Sequence, residues 1–177
     1  MYKRQEYLEA WGLEKDDVLH EALLNSYRIL PPRIYDFKKM MYTPGYAGED
    51  FLNMDPYFIS DKKKKEGICL SVKGLSNGAV AVLYPGVIKK LVEFMDGGFY
   101  VVFSSVHEAL IYSSKLCSLE ELENLLRTSN ARMTFQKEFL TDKVYYYCKE
   151  EDKFIMLRGS MKMLVTTIRI CLLYTSD

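Results

Sequence analysis

A chain of 177 residues, 49% hydrophobic and 27% charged, has the size and composition of one globular domain that folds without disulfide or metal staples. Its 24 basic and 24 acidic residues cancel to zero net charge, which removes any global attraction to nucleic acid or anionic lipid. No stretch approaches the roughly 20 apolar residues of a membrane-spanning helix, so no membrane partner is expected.

The two ends read as sequencing-adapter sequence. With a GTG start, the string GTGTATAAGAGACAG can encode Met1-Tyr2-Lys3-Arg4-Gln5, and TGTCTCTTATACACATCT can encode Cys171-Leu172-Leu173-Tyr174-Thr175-Ser176. These strings are reverse complements along most of their length, and both look like the end of a library-preparation transposon. Residues 1–5 and 171–177 are therefore expected to be artefact. Residues 6–156 are expected to form one domain of a longer protein, with residues 157–170 as a tail of open status.

Acidic Glu14, Asp16 and Asp17 followed by the stripe Val18, Leu19, Ala22 and Leu23 predict a helix from Glu14 to Ser26. Pro31-Pro32 stops it. Ile34 to Met41 reads as a second, short amphipathic helix. Tyr42 to Glu66 is the least structured stretch, because Thr43-Pro44-Gly45, Asp55-Pro56 and Lys62-Lys63-Lys64-Lys65 break any periodicity. The lysine run reads as a solvated loop; no interleaved aromatics support a nucleic-acid partner.

Ile68 to Val72 predicts a strand, Asn77-Gly78 a turn, and Ala79 to Tyr84 a buried strand completing a hairpin. Pro85-Gly86 opens a helix to Met95 with Val87, Ile88, Leu91, Val92 and Met95 on one face, and Gly97-Gly98 ends it. Phe99 to Phe103 and Ala109 to Tyr112 are strands joined by Ser104-Ser105-Val106-His107-Glu108. Ser118 and Glu121 form a capping box for a helix to about Thr128, with Leu119, Leu122, Leu125 and Leu126 inward. Lys143 to Cys148 and Phe154 to Leu157 close the pattern. The expected architecture is α+β: a mostly antiparallel sheet of about six strands with three or four packed helices.

Cys69, Cys117 and Cys148 are scattered, with no Cys-x-x-Cys and no histidine at ligand spacing, so reduced thiols in a cytosolic protein are expected. His107-Glu108 lacks the second histidine of a zinc helix, because Ile111 stands there. No Gly-rich loop precedes a helix to hold phosphate. Neither a metal nor a cofactor is expected. His20, beside Glu21 on a helix flank, reads as structural.

The link Ser104 to Glu108 holds the densest chemistry: two hydroxyls, an imidazole and a carboxylate at a strand end. Alternation in an extended link puts Ser105 with His107 on one face and Ser104 with Glu108 on the other. Ser105, His107 and Glu108 are the catalytic candidates. A structural turn, with the serines bonding backbone, is the competing reading. The 14 tyrosines add a recognition reading in which Tyr84 and Tyr112 join Ser104, Ser105, His107 and Glu108 in a binding surface.

Asn77-Gly78-Ala79, Leu83-Tyr84-Pro85-Gly86, Phe99-Tyr100 and Ser104-Ser105-Val106-His107-Glu108, in that order, resemble a bacterial domain-of-unknown-function family, number 5688. Leu8-Glu9-Ala10-Trp11-Gly12, Arg28-Ile29-Leu30-Pro31 and Leu140-Thr141-Asp142-Lys143-Val144-Tyr145 extend the likeness over Glu6 to about Phe154. Phe103 replaces a common proline, and Tyr42 to Glu66 has no clear counterpart. The resemblance implies no established activity. The functional expectation is a non-catalytic cytosolic domain binding a protein or small ligand, with a hydrolase using Ser105 and His107 as the alternative.

Overall fold

The computed structural model describes residues 10–133 and 138–157. The adapter-like ends and residues 158–170 of the tail lie outside the described residues. In chain order the elements are α1 (Lys15–Ile29), β1 (Pro32–Tyr35), α2 (Phe37–Tyr42), β2 (Glu49–Asp50), a 3₁₀ turn (Pro56–Phe58) and α3 (Asp61–Glu66). Then follow β3 (Ile68–Val72), a 3₁₀ segment (Gly78–Leu83), α4 (Val87–Met95), β4 (Phe99–Val102), β5 (Ala109–Ser113), α5 (Leu119–Met133), β6 (Val144–Cys148) and β7 (Lys153–Leu157). The seven strands make one sheet in the order β2-β1-β3-β5-β4-β6-β7, with every pair antiparallel. The α+β expectation holds.

Period-two alternation divides the side chains between two layers. Ile68, Leu70, Val101, Ile111 and Tyr147 face α4, whose Val87, Ile88, Leu91, Phe94 and Met95 are buried against them together with Phe51. On the other face Val102, Tyr112 and Val144 meet Leu122 and Leu126 of α5. Each fully buried Leu or Phe contributes about 1.5–3 kcal/mol of transfer free energy, so these layers set most of the stability. All five residues of β3 are buried, because β3 is flanked by strands and covered on both faces.

Several elements differ from the sequence expectations. Ala79 to Tyr84 is no strand: Gly78–Leu83 is a 3₁₀ helix entered through Asn77 at φ 54°. A continuous apolar run suits either form; here the small residues Gly78, Ala79 and Ala81 let the backbone lie against β3, with Ala79 N–H donating to Val106 O at 3.1 Å. Pro32 begins β1 instead of only ending a helix, so Ile34 belongs to a strand and α2 starts after it. The Asp36 side chain caps α2, accepting from the Lys38 and Lys39 amides. The stretch 42–66 carries β2, the Pro56 turn and α3, and the lysine run is helical with Ser60 as its cap. Leu125 points outward at 45% exposed, while the capping box at Ser118 and Glu121 forms as expected. On α1, Leu19 is exposed and no residue is fully buried, so its stripe covers the core only through Leu23 and Tyr27.

Gly78 is the tightest crossing. A Cβ there would strike the Ser71 Oγ and lie 2.7 Å from both His107 O and Val72 N. Gly78→Ala is expected to cost about 3 kcal/mol, because two of those atoms are backbone and cannot rotate away. Gly74→Ala meets nothing within 4 Å, although Gly74 has φ +88°, and should cost about 1–2 kcal/mol. Urea midpoints of the two variants at an unchanged slope check the difference.

Candidate functional site

The loop from Ser104 to Glu108 joins β4 to β5 and meets the end of β3. Ser71 is fully buried, and its hydroxyl donates to His107 O at 2.6 Å, as a buried hydroxyl must find a partner. Ser105 Oγ accepts from the His107 backbone N–H at 3.0 Å, closing a serine turn. The imidazole Nδ1 accepts the Asn77 N–H at 3.1 Å, which assigns the ring proton to Nε2. Nε2 lies 3.6 Å from Glu138 Oε1. Val106 N–H donates to Glu138 O at 2.9 Å. The loop is thus tied to β3, to the 3₁₀ segment and to residue 138.

Ser104 Oγ donates to Glu108 Oε1 at 2.6 Å, the pairing that alternation puts on one face. Ser105 and His107 are brought together differently: the hydroxyl serves the loop backbone, and the imidazole lone pair serves Asn77. A nucleophile needs its hydroxyl proton aimed at an imidazole nitrogen. Neither group has that arrangement here. Tyr84 and Tyr112 are 1% and 4% exposed, so neither lies on a surface with the loop. Tyr84 packs edge-on against Tyr27 at 6.0 Å, and burial pushes the Tyr112 hydroxyl up to about 12. Among the described residues no group of three or more His, Cys, Asp or Glu is arranged to hold a metal ion, and no helix is long and apolar enough to cross a membrane.

The open recess lies at the other end of β3. It is a cleft of ≈ 190 Å³ bounded by β1, α2, β2, the Pro56 turn and α3. Tyr35, Ile34 and Ile68 line its sheet side, and Phe37, Tyr46 and Phe58 supply aromatic walls. Tyr46 stands edge-on to Tyr35 at 5.9 Å and accepts the Asp36 N–H through its hydroxyl at 3.3 Å. Tyr35 in turn donates to Val72 O at 2.9 Å. Two ion pairs join elements around the cleft: Lys63 of α3 to Asp36 before α2, and Lys39 of α2 to Glu49 of β2 at 2.6 Å. Lys39 Nζ also sits 5.7 Å from the centre of the Tyr46 ring. The Lys63 hydrogen bond holds the Asp36 carboxyl below the usual carboxylate range, with help from the two cap amides.

At the mouth of the cleft, its lining residues Phe37 and Phe58 are 51% and 79% exposed, and Met41 lies one helical turn after Phe37. Exposed aromatic surface of this extent at a recess is a mark of recognition sites. Sequence reasoning missed this region because no long periodic pattern crosses it. The available signal was a series of caps, Asp36, Asp55 and Ser60, each marking a short helical turn.

The family model for the "Family of unknown function (DUF5688)" matches residues 3–149. The chain belongs to this family. No curated protein and no solved structure matches it. The matched span contains both the Ser104–Glu108 loop and the cleft, so both are parts of the DUF5688 domain.

The Asp36 shift carries a sign. Its folded-state value is depressed, so its stabilisation is present above the unfolded carboxylate range and is lost as pH falls through the folded value. Asn caps helices as well as Asp, so Asp36→Asn removes the charge while keeping the cap. Denaturation midpoints measured from neutral pH downward should show the variant less stable at neutral pH, with the two proteins converging in acid. Burial pushes the Cys69 thiol up to about 12, whereas Cys148 is only half-buried. Iodoacetamide followed by peptide mapping should modify Cys148 in the native protein and spare Cys69 until denaturant is added.

Proposed function

We propose that this DUF5688 chain is a non-catalytic binding domain whose recognition site is the cleft between α2 and α3. The observation that carries this reading is the combination of a recess of ≈ 190 Å³ with exposed aromatic walls and unburied ion pairs at its rim. Binding sites pair apolar surface with a few convergent polar groups in this way. The bonding of the Ser104–Glu108 loop supports a clasp role for those residues, which is why the hydrolase alternative is set second.

The occupant is a small ligand or a protein segment. Nucleic acid fits poorly, because the chain has zero net charge and Glu66, Asp36 and Asp61 lie among the lysines of the run, so no basic face builds up there. Among the described residues the thiols of Cys69, Cys117 and Cys148 are free, which supports residence in the reducing cytoplasm.

Two measurements test the assignment. Amide chemical shifts recorded with an aromatic fragment library should move at residues 35–39, 46–49 and 58–68, and not at 104–108. Turnover of p-nitrophenyl acetate should stay at the level of free imidazole and be the same in Ser105→Ala. Saturable turnover abolished by that substitution would restore the hydrolase reading in place of the binding one.

A further inference from the structure

We infer that His107 is a proton-operated latch on the link between β3 and the 3₁₀ segment. The neutral imidazole holds the link; on taking a proton it lets go of Asn77 and turns its charge to Glu138. The link, Lys73 to Asn77, has a backbone that needs holding. Gly74, Leu75 and Asn77 have φ of 88°, 56° and 54°. Residues with a side chain are uncommon in this region, a leucine more so than an asparagine. Such a backbone persists only where its surroundings fix it. At the near end Leu75 N–H donates to Val72 O at 3.1 Å. At the far end the Asn77 N–H is held by the His107 ring.

An imidazole nitrogen accepts a hydrogen bond only while it carries no proton. Nε2 of His107 already bears one, so the proton the ring takes up goes to Nδ1. Two N–H donors then face each other across 3.1 Å, and the bond to Asn77 is lost. The imidazolium is drawn instead to Glu138, whose Oε1 lies 3.6 Å from Nε2. The backbone of Glu138 is kept in place independently of the ring, because its carbonyl accepts the Val106 N–H at 2.9 Å. The His107 backbone does not follow the ring either, since its N–H is bound to Ser105 Oγ and its carbonyl to Ser71 Oγ. No other charge among the described residues competes for the ring at ion-pair distance. The Glu108 carboxylate takes the Ser104 hydroxyl, Asp142 and Lys143 pair with each other, Lys73 is exposed, and Gly78–Leu83 carries no charged residue. Protonation therefore frees the link and leaves the sheet and the β4–β5 loop where they are.

The test follows the full chain by NMR from about pH 8 to about pH 5, the interval in which histidines exchange their side-chain proton. Ring resonances report when His107 takes its proton, and the chain's second histidine, His20, lies apart on α1. Amides 73–77 should shift in step with the His107 ring, and hydrogen-exchange protection of the Asn77 amide should fall about tenfold, the loss of one hydrogen bond. Amides of β3, β4 and β5 should keep their protection. His107→Asn offers an amide oxygen in place of Nδ1 and does not titrate, so in that variant the link should stay protected at every pH. Glu138→Gln should displace the release of the link to lower pH, because the imidazolium then lacks its carboxylate. An Asn77 amide that keeps its protection after the wild-type ring is protonated would overturn the latch, and this readout needs no variant to fold. So would release of the link in acid in a folded His107→Asn. Loss of protection throughout β3 to β5 in the same step would also overturn it, since protonation would then unfold the domain instead of freeing one link.

Discussion

Strand β3 is buried along its whole length, and a strand buried on both faces between two neighbours must satisfy every polar group it carries. The one side-chain hydroxyl in it, on Ser71, does so by reaching His107 O. That bond fixes where the loop after β4 can lie. Once the loop is there, only a residue without a side chain can pass between it and β3, and Gly78 takes that place. The 3₁₀ segment that follows then seals the face of the sheet where α4 packs. Much of the middle of the molecule therefore follows from one strand and one hydroxyl.

The same strand separates the two polar regions. Its first residue, Ile68, lines the cleft, and its fourth, Ser71, anchors the clasp, about 10 Å away at the rise of a strand. Tyr35 spans part of that distance, since it lines the cleft and donates to Val72 O. The clasp is rich in mutual hydrogen bonds and leaves its reactive groups occupied. The cleft is bridged by ion pairs that water already reaches. A group that is satisfied by its own fold serves architecture, whereas a group held by a weak and exchangeable partner can serve a ligand.

Charge plays different parts in the two halves of this division. Around the cleft, lysines and carboxylates cancel locally as they do over the whole chain, so no net potential builds up there. In the layers that pack on the sheet no charged residue is buried among the described residues, and stability comes from aromatic and aliphatic contact. Stacked Phe51–Phe94 and Phe99–Tyr147 pairs, with ring centres 5.3 and 5.1 Å apart, lie in the layer under α4. Among the described residues several tyrosines serve the sheet and its margins: Tyr84 and Tyr112 are core residues, and the Tyr100 and Tyr146 rings meet at a tilt across paired strands.

Local chemistry was sufficient where one segment alone decided the outcome. The helix Val87–Met95 follows from its apolar face, the start at Leu119 from the Ser118–Glu121 box, and β3 to β7 from short apolar runs bounded by turn residues. Membership of the α+β class followed from the mixture of such runs. Where the outcome depended on a distant partner, the sequence was ambiguous. Ala79 to Tyr84 has no polar face and is equally a strand or a helix until β3 and Val106 accept it as a 3₁₀ turn. Pro31-Pro32 reads as a helix stop and Ile34 to Met41 as a helix, because the strand character of Pro32 to Tyr35 lies in pairing with Cys69 to Val72. Whether His107 meets Ser105 through its ring or its backbone, and whether five short elements between residues 32 and 68 enclose a recess, are properties of distance in space. Residue types and spacing along the chain determined which segments could form; the burial of β3 and the partners it demanded decided where they lie.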